Sequence, residues 1–233
     1  MIYESAAAMS DSEIRPPLSR ILEVADRLLE SALDPDQRKF AGILRNAARA
    51  LARVLEDVLE LSRLDRGGIE LVREPFEVDD LVYECRDAFA VAAHRKHILL
   101  AAHVTPDAVG TAIGDAHRVR RVLFNLLDNA VKFTETGRIS LRAHAASDLA
   151  SLIFDVQDTG IGIPRELHAA IFERFVQADS GTTRRFGGCG LGLALARELV
   201  LSMGGRISVT SAPHAGAVFR VVLPITVKPH LGG

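Results

Sequence analysis

Residues 124–133 read FNLLDNAVKF, a stretch that carries three polar side chains on an otherwise apolar helical pattern. On a helix, Asn125, Asn129 and Lys132 fall at i, i+4 and i+7, which places them on one face. Two carboxamides and an ammonium suit a cluster of phosphates and Mg²⁺, because an amide oxygen is a ligand that a hard cation accepts. Taken alone, the same spacing is equally typical of a solvated helix edge.

A second segment, DTGIGI at 158–163, directly follows a predicted strand. Gly160 and Gly162 would let the backbone pass close to a planar ligand, and the Asp158 carboxylate can accept a hydrogen bond from an exocyclic amine. A tight turn that caps the following helix is the alternative interpretation of these residues.

Two further segments read IFERFVQ at 171–177 and RRFGGCGLGLALA at 184–196. Phe172 and Phe175 either cover a ligand or fill the core, and the core is the commoner role for such a pair. In the last segment a glycine-rich loop enters a helix that begins near Leu191, so that backbone N–H groups and a helix N-terminus would face an anion. Because no strand immediately precedes this loop, it does not fit a dinucleotide-binding fingerprint.

The N-terminal part has a different pattern, in which apolar residues alternate at spacings of four and three. The first run comprises Leu18, Leu22, Ala25, Leu29 and Ala32, and the second comprises Phe40, Leu44, Ala47, Leu51, Val54, Val58 and Leu61. This spacing predicts two helices of a left-handed bundle, and the short break at 34–36 makes them antiparallel neighbours. Asp34 or Asp36 can cap the second helix. The hairpin either packs on the rest of its own chain or dimerises into a four-helix bundle.

From about residue 69, short β-type runs alternate with helical stretches. Strands are predicted at 69–72, 98–104, 138–144, 151–157, 206–210 and 217–223, and helices at 78–95, 115–133, 165–177 and 191–203. The connections at 145–150 and 211–216 are too short for a crossover helix, so those strand pairs are predicted to be antiparallel hairpins. The predicted fold class is therefore α+β, with an antiparallel helical hairpin over 1–66 and a mixed sheet with helices on one face over 67–233.

Composition narrows the classes of function. The 233 residues carry a formal net charge of −2, with 5% aromatic residues and no tryptophan, which favours neither nucleic acid nor anionic lipid as a partner. Cys85 and Cys189 are the only cysteines, so a reducing compartment is favoured. No window reaches the ~18 consecutive apolar residues of a membrane span, and the first residues lack the pattern of a signal peptide. We therefore expect no membrane segment in this chain and a cytoplasmic location, which also suits the cytosolic part of a larger sensor.

The order NLLDNAVKF, DTGIGI, FERF, GGCGLGL resembles the N, first glycine, F and second glycine boxes of the sensor histidine kinases. These kinases belong with gyrase, Hsp90 and MutL to the Bergerat-fold ATPases. The N-terminal hairpin resembles the dimerisation and phosphotransfer domain of the same family, so the resemblance covers nearly the whole chain. It implies an α/β sandwich that binds ATP with Mg²⁺ and a homodimer formed through the hairpin. It also implies a response regulator or receiver domain as partner in a two-component phosphorelay.

The resemblance further implies roles for single residues. Asn129 would be the Mg²⁺ ligand, Asn125 and Lys132 would lie at the phosphates, and Asp158 would bind the adenine amine. A lid would run from about 177 to 188 and carry two arginines that could reach the γ-phosphate. The other residues implied at the ATP site are Gly160, Gly162, Phe172, Phe175, Arg184, Arg185, Gly188, Gly190, Leu191 and Gly192.

The first helix departs from the family pattern. Family members read roughly MSHEIRTPL, with the His accepting the phosphoryl group, whereas residues 9–18 read MSDSEIRPPL. Alignment on EIR places Ser12 at the acceptor position, with Glu13 as the base by family analogy. Pro16 stands where the family commonly has the Thr or Asn that positions water for phosphatase action. All eight histidines lie at position 94 or later, and a serine hydroxyl is a poor nucleophile unless a base activates it.

Three functions remain open at this point. The first is a kinase core that binds nucleotide but lacks its acceptor, a degenerate or regulatory pseudokinase. The second is an active kinase with a natural or engineered change of acceptor, in which Ser12 or Ser10 is phosphorylated. The third is a non-catalytic dimeric module that docks a response-regulator-like partner and keeps ATP as a structural ligand.

Overall fold

The computed structural model describes residues 11–67, 70–147, 150–176 and 189–229, with side chains from residue 16 onward. It divides into two compact units, Met1–Gly68 and Ile69–Gly233. As limits of domains with separate functions, 1–66 and 67–233 stay a prediction. Within the described residues, no helix is both long enough and apolar enough to cross a lipid bilayer.

The N-terminal unit consists of two helices, α1 (Asp11–Glu30) and α2 (Pro35–Asp65). Asp34 is the cap of α2, because its Oδ1 accepts from the Gln37 amide at 2.8 Å while the Gln37 side chain accepts from the Asp34 amide at 3.2 Å. A proline occupies the first turn, where its missing N–H costs no helical hydrogen bond. Gly67 follows the end of α2 with a φ of 64°, as helix-ending glycines commonly do.

The apolar faces of the hairpin are only partly covered within the described chain. The buried apolar residues are Leu18, Ala25, Ala41, Ala48, Val58 and Leu61. Large apolar side chains stay exposed on both helices, namely Phe40 (67%), Ile43 (56%), Leu51 (53%), Val24 (52%), Leu44 (49%), Ile21 (45%) and Leu28 (41%). The predicted stripe of α2 is therefore divided: its first four members, Phe40, Leu44, Ala47 and Leu51, are exposed, and its last two, Val58 and Leu61, are buried.

In the described part of the second unit, eight strands and three α-helices follow one another. They are β1 (Glu74–Glu77), α3 (Val78–Arg95), β2 (Ile98–Val104), β3 (Gly110–Gly114), α4 (Ala116–Phe133), β4 (Gly137–Ala145), β5 (Leu152–Asp158), α5 (Gly192–Ser202), β6 (Arg206–Ser211), β7 (Ala217–Leu223) and β8 (Val227–Pro229). Five strands form a sheet in the order β2-β4-β5-β7-β6, in which β2 and β4 are parallel and the other pairs antiparallel. Strands β1, β3 and β8 form a small antiparallel sheet. The predicted α+β class with a mixed sheet is confirmed.

One face of the five-stranded sheet carries the core of this unit. Burial alternates along β5, where Phe154 and Val156 are fully buried and Gln157 is exposed. The buried residues of α4 are Val119, Val122, Leu123, Leu126, Leu127, Ala130 and Val131. With this stripe in the core, the other edge of α4 is left for polar side chains.

The predicted strand at 69–72 is wrong for the residues of this range that the structure describes. Strand β1 begins only at Glu74, which pairs with Gly114 of β3, while the Val72 amide donates to Asp115 Oδ2 at 3.2 Å. The partner strand lies far along the chain, so a local apolar pattern does not locate the pairing. Strands β3 and β8 escape prediction for the same reason.

The predicted helix at 165–177 is also wrong. Two short 3₁₀ turns, Arg165–Leu167 and Ala170–Phe172, occupy its place. Phe175 has a φ of 64°, which a right-handed helix excludes, and its amide donates to Gly190 O at 3.0 Å. A hydrogen bond to a distant segment thus outweighs the local helical pattern.

Candidate functional site

Helix α4 presents the polar face that the sequence predicts. Asn125, Asn129 and Lys132 are half-buried, whereas the apolar stripe of the helix is buried in the core. The helix begins at a capped end, because Asp115 Oδ1 accepts from the Arg118 amide at 3.0 Å and Oδ2 accepts from Arg118 Nε at 2.8 Å. A single capped helix therefore carries all three side chains along one edge.

Asn125 joins α4 to the second glycine segment. Its Nδ2 donates to Gly192 O at 3.0 Å, in the first turn of α5. A Cβ added to Gly192 would lie 3.8 Å from Asn125 Cγ, so the two residues are in close contact. This hydrogen bond fixes the orientation of the carboxamide beside the start of α5.

Lys132 occupies a partly desolvated position. Burial lowers the pKa of its ammonium below the usual value, while Asp128 and Cys189 act in the opposite direction. Its Nζ lies 4.7 Å from the centroid of the Phe133 ring, a cation–π distance. Cys189, in the second glycine segment, thus lies within electrostatic range of this ammonium. A phosphate placed here would restore the favourable charge environment that burial removes.

Asp158 ends β5 with only 8% of its surface exposed. Burial raises the pKa of its carboxyl, and the backbone amides of Gly160 and Ala217, which donate to it, act in the opposite direction. The bond from Gly160 N to Asp158 Oδ1 measures 2.8 Å. A buried carboxyl with a displaced pKa at the end of a strand is typical of a functional site.

Close contacts require both glycines of the first glycine segment. A Cβ on Gly160 would lie 2.5 Å from Phe133 O, and the Ile161 amide donates to the same oxygen at 3.3 Å. Gly162 has a φ of 72°, and a Cβ there would collide with Ala212 O. The segment is therefore held between the carboxyl end of α4 and the turn that joins β6 to β7.

The two phenylalanines of FERF have different environments. Phe172 is 9% exposed and packs edge-to-face on Phe219 with ring centroids 6.3 Å apart, so its side chain fills the core. Phe175 is 57% exposed, and its amide bond to Gly190 O links the third segment to the second glycine segment. Contact of either ring with a ligand stays a prediction.

The other predicted residues are placed only in part. Gly190 has a φ of 70°, and the Leu191 side chain is fully buried, so it belongs to the core. The predicted lid residues Arg184, Arg185 and Gly188, and the side chains of Ser12 and Glu13, lie outside the described part of the structure. The backbone of the last two residues belongs to α1.

Lys96 supports the site, although no sequence pattern reveals it. Its Nζ donates to the carbonyls of Val131 (2.6 Å), Lys132 (3.0 Å) and Thr134 (3.2 Å). An ammonium at the carboxyl end of a helix compensates the partial negative charge there. Lys96 directly follows α3 in the sequence, and only the fold shows that it holds the end of α4.

Comparison with known proteins agrees with this arrangement. The family described as "Histidine kinase-, DNA gyrase B-, and HSP90-like ATPase" matches residues 114–227, and the "His Kinase A (phospho-acceptor) domain" matches residues 4–67. The chain is 35% identical over 222 residues to hybrid signal transduction histidine kinase A of Dictyostelium discoideum, which covers 91% of this chain and 10% of that protein. It is 37% identical over 216 residues to the sensor protein GacS of Pseudomonas syringae pv. syringae, with coverages of 91% and 24%.

Among solved structures, full-length ShkA in complex with AMPPNP matches with a TM-score of 0.80 at 33% identity, over 98% of this chain and 46% of that chain. The chain thus spans from about a tenth to about a quarter of the two curated relatives named above. The order of the two matched domains agrees with the observed order of the hairpin and the α/β unit. The chain therefore belongs to the histidine kinases, as a catalytic core in which a His Kinase A hairpin precedes an ATPase domain of the kinase, gyrase and Hsp90 type.

Proposed function

We propose that this chain is the Mg·ATP-binding core of a two-component histidine kinase in which Ser12 replaces the phospho-acceptor histidine. One contrast carries the proposal. The described residues of the four segments proposed for the ATP site contact one another in the α/β unit, whereas the match to the phospho-acceptor domain, residues 4–67, contains no histidine. The chain would bind nucleotide and act in signal transduction as a regulatory or degenerate kinase, without autophosphorylating.

The chemistry of the described residues fits an adenine nucleotide with Mg²⁺. Asn129 would hold the cation through its amide oxygen, and Asn125 and Lys132 would face the phosphates. When bound, Mg²⁺ neutralises charge on the phosphate oxygens. Burial partly desolvates the ammonium of Lys132 and the carboxyl of Asp158, and a bound nucleotide would offer a phosphate oxygen to the first and the adenine amine to the second.

The acceptor helix differs from the ATP site in that its reactive positions are altered. Pro16 and Pro17 both lie inside α1 and have no N–H to donate. In an α-helix those two donors would serve the carbonyls of Ser12 and Glu13, four residues earlier. The acceptor turn thus combines a weak nucleophile with a weakened backbone hydrogen-bond ladder.

Incubation with γ-labelled ATP, followed by acid and base treatment of the adduct, tests this proposal. The unmodified chain should bind Mg·ATP in calorimetry and acquire no acid-labile label. Ser12→His should gain a weak acid-labile label. The double variant Ser12→His, Pro16→Thr should gain a stronger one. Ser19→His is the matched control, because it places a histidine at an exposed position of the same helix, away from the acceptor turn.

Other outcomes would favour the alternatives. An acid-stable, base-labile label on the unmodified chain would indicate an active kinase that uses Ser12 or Ser10. No label on any variant, despite normal ATP binding, would favour the non-catalytic module. Failure of the unmodified chain to bind ATP would refute all three hypotheses, because each of them assumes a working ATP site.

We also propose a homodimer formed through the hairpin and a response regulator or receiver domain as partner. The exposed apolar side chains of α1 and α2 support the dimer, because large apolar patches on a protein surface commonly mark an interface. The receiver is tested with the labelled Ser12→His variant, whose phosphoryl group should pass to an added receiver domain. The predicted cytoplasmic location is part of the same proposal.

A further inference from the structure

The turn between β6 and β7, residues 212–216, is hydrogen-bonded to the first glycine segment. At the base of this turn, Ser211 Oγ accepts from the Ile163 amide at 2.8 Å and donates to Gly216 O at 2.6 Å. Within the turn, the His214 amide donates to Ile161 O at 2.6 Å. The serine hydroxyl thus connects the two loops through its acceptor bond and holds its own turn together through its donor bond.

Close backbone packing at two glycines also joins the same two loops. A Cβ on Gly162 would collide with Ala212 O, and one on Gly216, which has a φ of 73°, would collide with Asp158 O. Ala217, the first residue of β7, pairs with Asp158 in the sheet, and its amide donates to that carboxyl. The turn, with the residues at its two ends, therefore contacts the first glycine segment at three places: Asp158, the Ile161 carbonyl and the Ile163 amide.

We propose that Ser211 is a positioning residue for the adenine end of the nucleotide site. This inference rests on the proposed function, since Asp158 and the first glycine segment are the parts that would recognise adenine. Ser211 makes its link to the segment through a side chain, whereas His214 makes its link through the backbone. A substitution at Ser211 can therefore remove one link and leave the other.

Loss of the Ser211 hydroxyl should affect the adenine end of the proposed site more than the phosphate end. The Ile163 amide would lose its acceptor and Gly216 O would lose its donor, so the first glycine segment could shift relative to Asp158. The phosphate-facing side chains Asn125 and Lys132 lie on α4, which Ser211 does not contact through either of these bonds. Binding of adenine should therefore weaken while binding of the phosphates is kept.

Calorimetry on Ser211→Ala, with Mg·ADP and Mg·tripolyphosphate as separate ligands, tests this inference. The variant should bind Mg·ADP about tenfold more weakly, the effect expected when one part-buried hydrogen-bonded link is lost, and should bind Mg·tripolyphosphate like the unmodified chain. Ser211→Thr keeps the hydroxyl and should restore most of the affinity for Mg·ADP. Ser208→Ala is the matched control, because Ser208 lies on the same strand and is exposed.

Amide hydrogen exchange at Ile163 in the ligand-free proteins gives a second readout. Exchange should be faster in Ser211→Ala than in the unmodified chain or in Ser211→Thr. Unchanged binding of Mg·ADP by Ser211→Ala, or an equal loss for both ligands, would overturn the positioning role. If the unmodified chain binds Mg·ADP no more tightly than Mg·pyrophosphate, which carries the same two phosphates, or binds neither, the proposed adenine site itself fails, and the exchange data would then assign Ser211 a structural link alone.

Discussion

The hairpin and the α/β unit differ in how completely each buries its apolar side chains. Helix α4 places its whole apolar stripe in the core, whereas the first half of α2 leaves Phe40, Ile43, Leu44 and Leu51 between about half and two-thirds exposed. Among the residues that the structure describes, the α/β unit therefore buries a continuous core, and the hairpin leaves much of its apolar stripe exposed. The difference agrees with the two proposals above, in which the candidate nucleotide site is built by contacts inside the chain and the hairpin pairs with a second copy.

The largest effect is expected from Gly162→Ala, a substitution in the first glycine segment of the α/β unit. A Cβ there would collide with Ala212 O at a φ of 72°, so the first glycine segment would have to leave its place. We expect destabilisation by about 3 kcal/mol and loss of Mg·ADP binding by more than about a hundredfold. Thermal unfolding and calorimetry measure both quantities. Retained affinity would show that this segment is not part of the nucleotide site.

Leu51→Lys tests whether the exposed stripe of α2 is an interface. An unpaired ammonium in an apolar interface costs several kcal/mol, so the dimer should weaken by about a hundredfold or more. Leu99→Lys, at a leucine that is 68% exposed on β2, should leave the dimer unchanged. Light scattering across a concentration series distinguishes the two variants. An unmodified chain that is monomeric at tens of micromolar would contradict the proposed dimer.

Asp158→Asn tests whether burial of the Asp158 carboxyl lowers the free energy of unfolding as this group ionises. Burial raises the pKa of Asp158, so the native state retains this proton over a pH range where the unfolded chain has lost it. The free energy of unfolding should therefore fall as the pH rises from the usual Asp value through the raised pKa, and Asp158→Asn should lack this decline. Binding of Mg·ADP by the variant should weaken about tenfold, because a charge-assisted hydrogen bond is lost.

Asp107→Asn is the control for the sign of this effect. A hydrogen bond from the Thr105 hydroxyl lowers the pKa of Asp107, so its contribution is present above the usual Asp value and is lost as the pH falls through the lowered pKa. Urea unfolding at a series of acidic pH values should therefore give differences of opposite slope for the two variants. Equal slopes would show that burial of Asp158 does not control its ionisation.

The smallest effect is expected from Gly42→Ala in the hairpin. A Cβ at Gly42 meets no atom within 4 Å, and the residue lies inside α2, where alanine is the better helix former. We expect stabilisation of the helix by about 0.5–1 kcal/mol, seen as a higher melting temperature. The same substitution thus has opposite signs in the two units. A weakened dimer instead would place Gly42 at a close helix–helix contact with the second copy.

Local periodicity predicts the regular elements of this protein well. Helix α3 is predicted at 78–95 and observed at Val78–Arg95, and β7 is predicted and observed at Ala217–Leu223. Helix α3 carries apolar residues at helical spacing, and β7 is a short run of apolar residues interrupted only by Arg220, so each pattern fits the packing of its own element. By contrast, the spacing of the α2 stripe shows that the helix has a face to bury but does not show whether the same chain covers it.

Contacts between distant segments account for what the sequence does not predict. The helix expected over 165–177 is broken where the Phe175 amide bonds to Gly190 O, and β1 lies where its pairing with β3 places it. In the candidate site, the four segments are recognisable as patterns, and the structure brings their described residues into contact. Lys96 and Ser211 are not recognisable, because a single side chain that bonds to a distant backbone leaves no periodic signal.

Because Cys189 lies within electrostatic range of Lys132, a dye attached to this native thiol can detect binding at the phosphate end of the proposed site. Cys85 is fully buried, and burial raises the pKa of its thiol to about 12, so it supplies little thiolate at neutral pH. Cys189 is a free thiol and half-exposed. A maleimide dye added to the native chain should therefore couple to Cys189 in preference to Cys85. Its fluorescence would then report the arrival of a phosphate at Lys132 without any introduced cysteine.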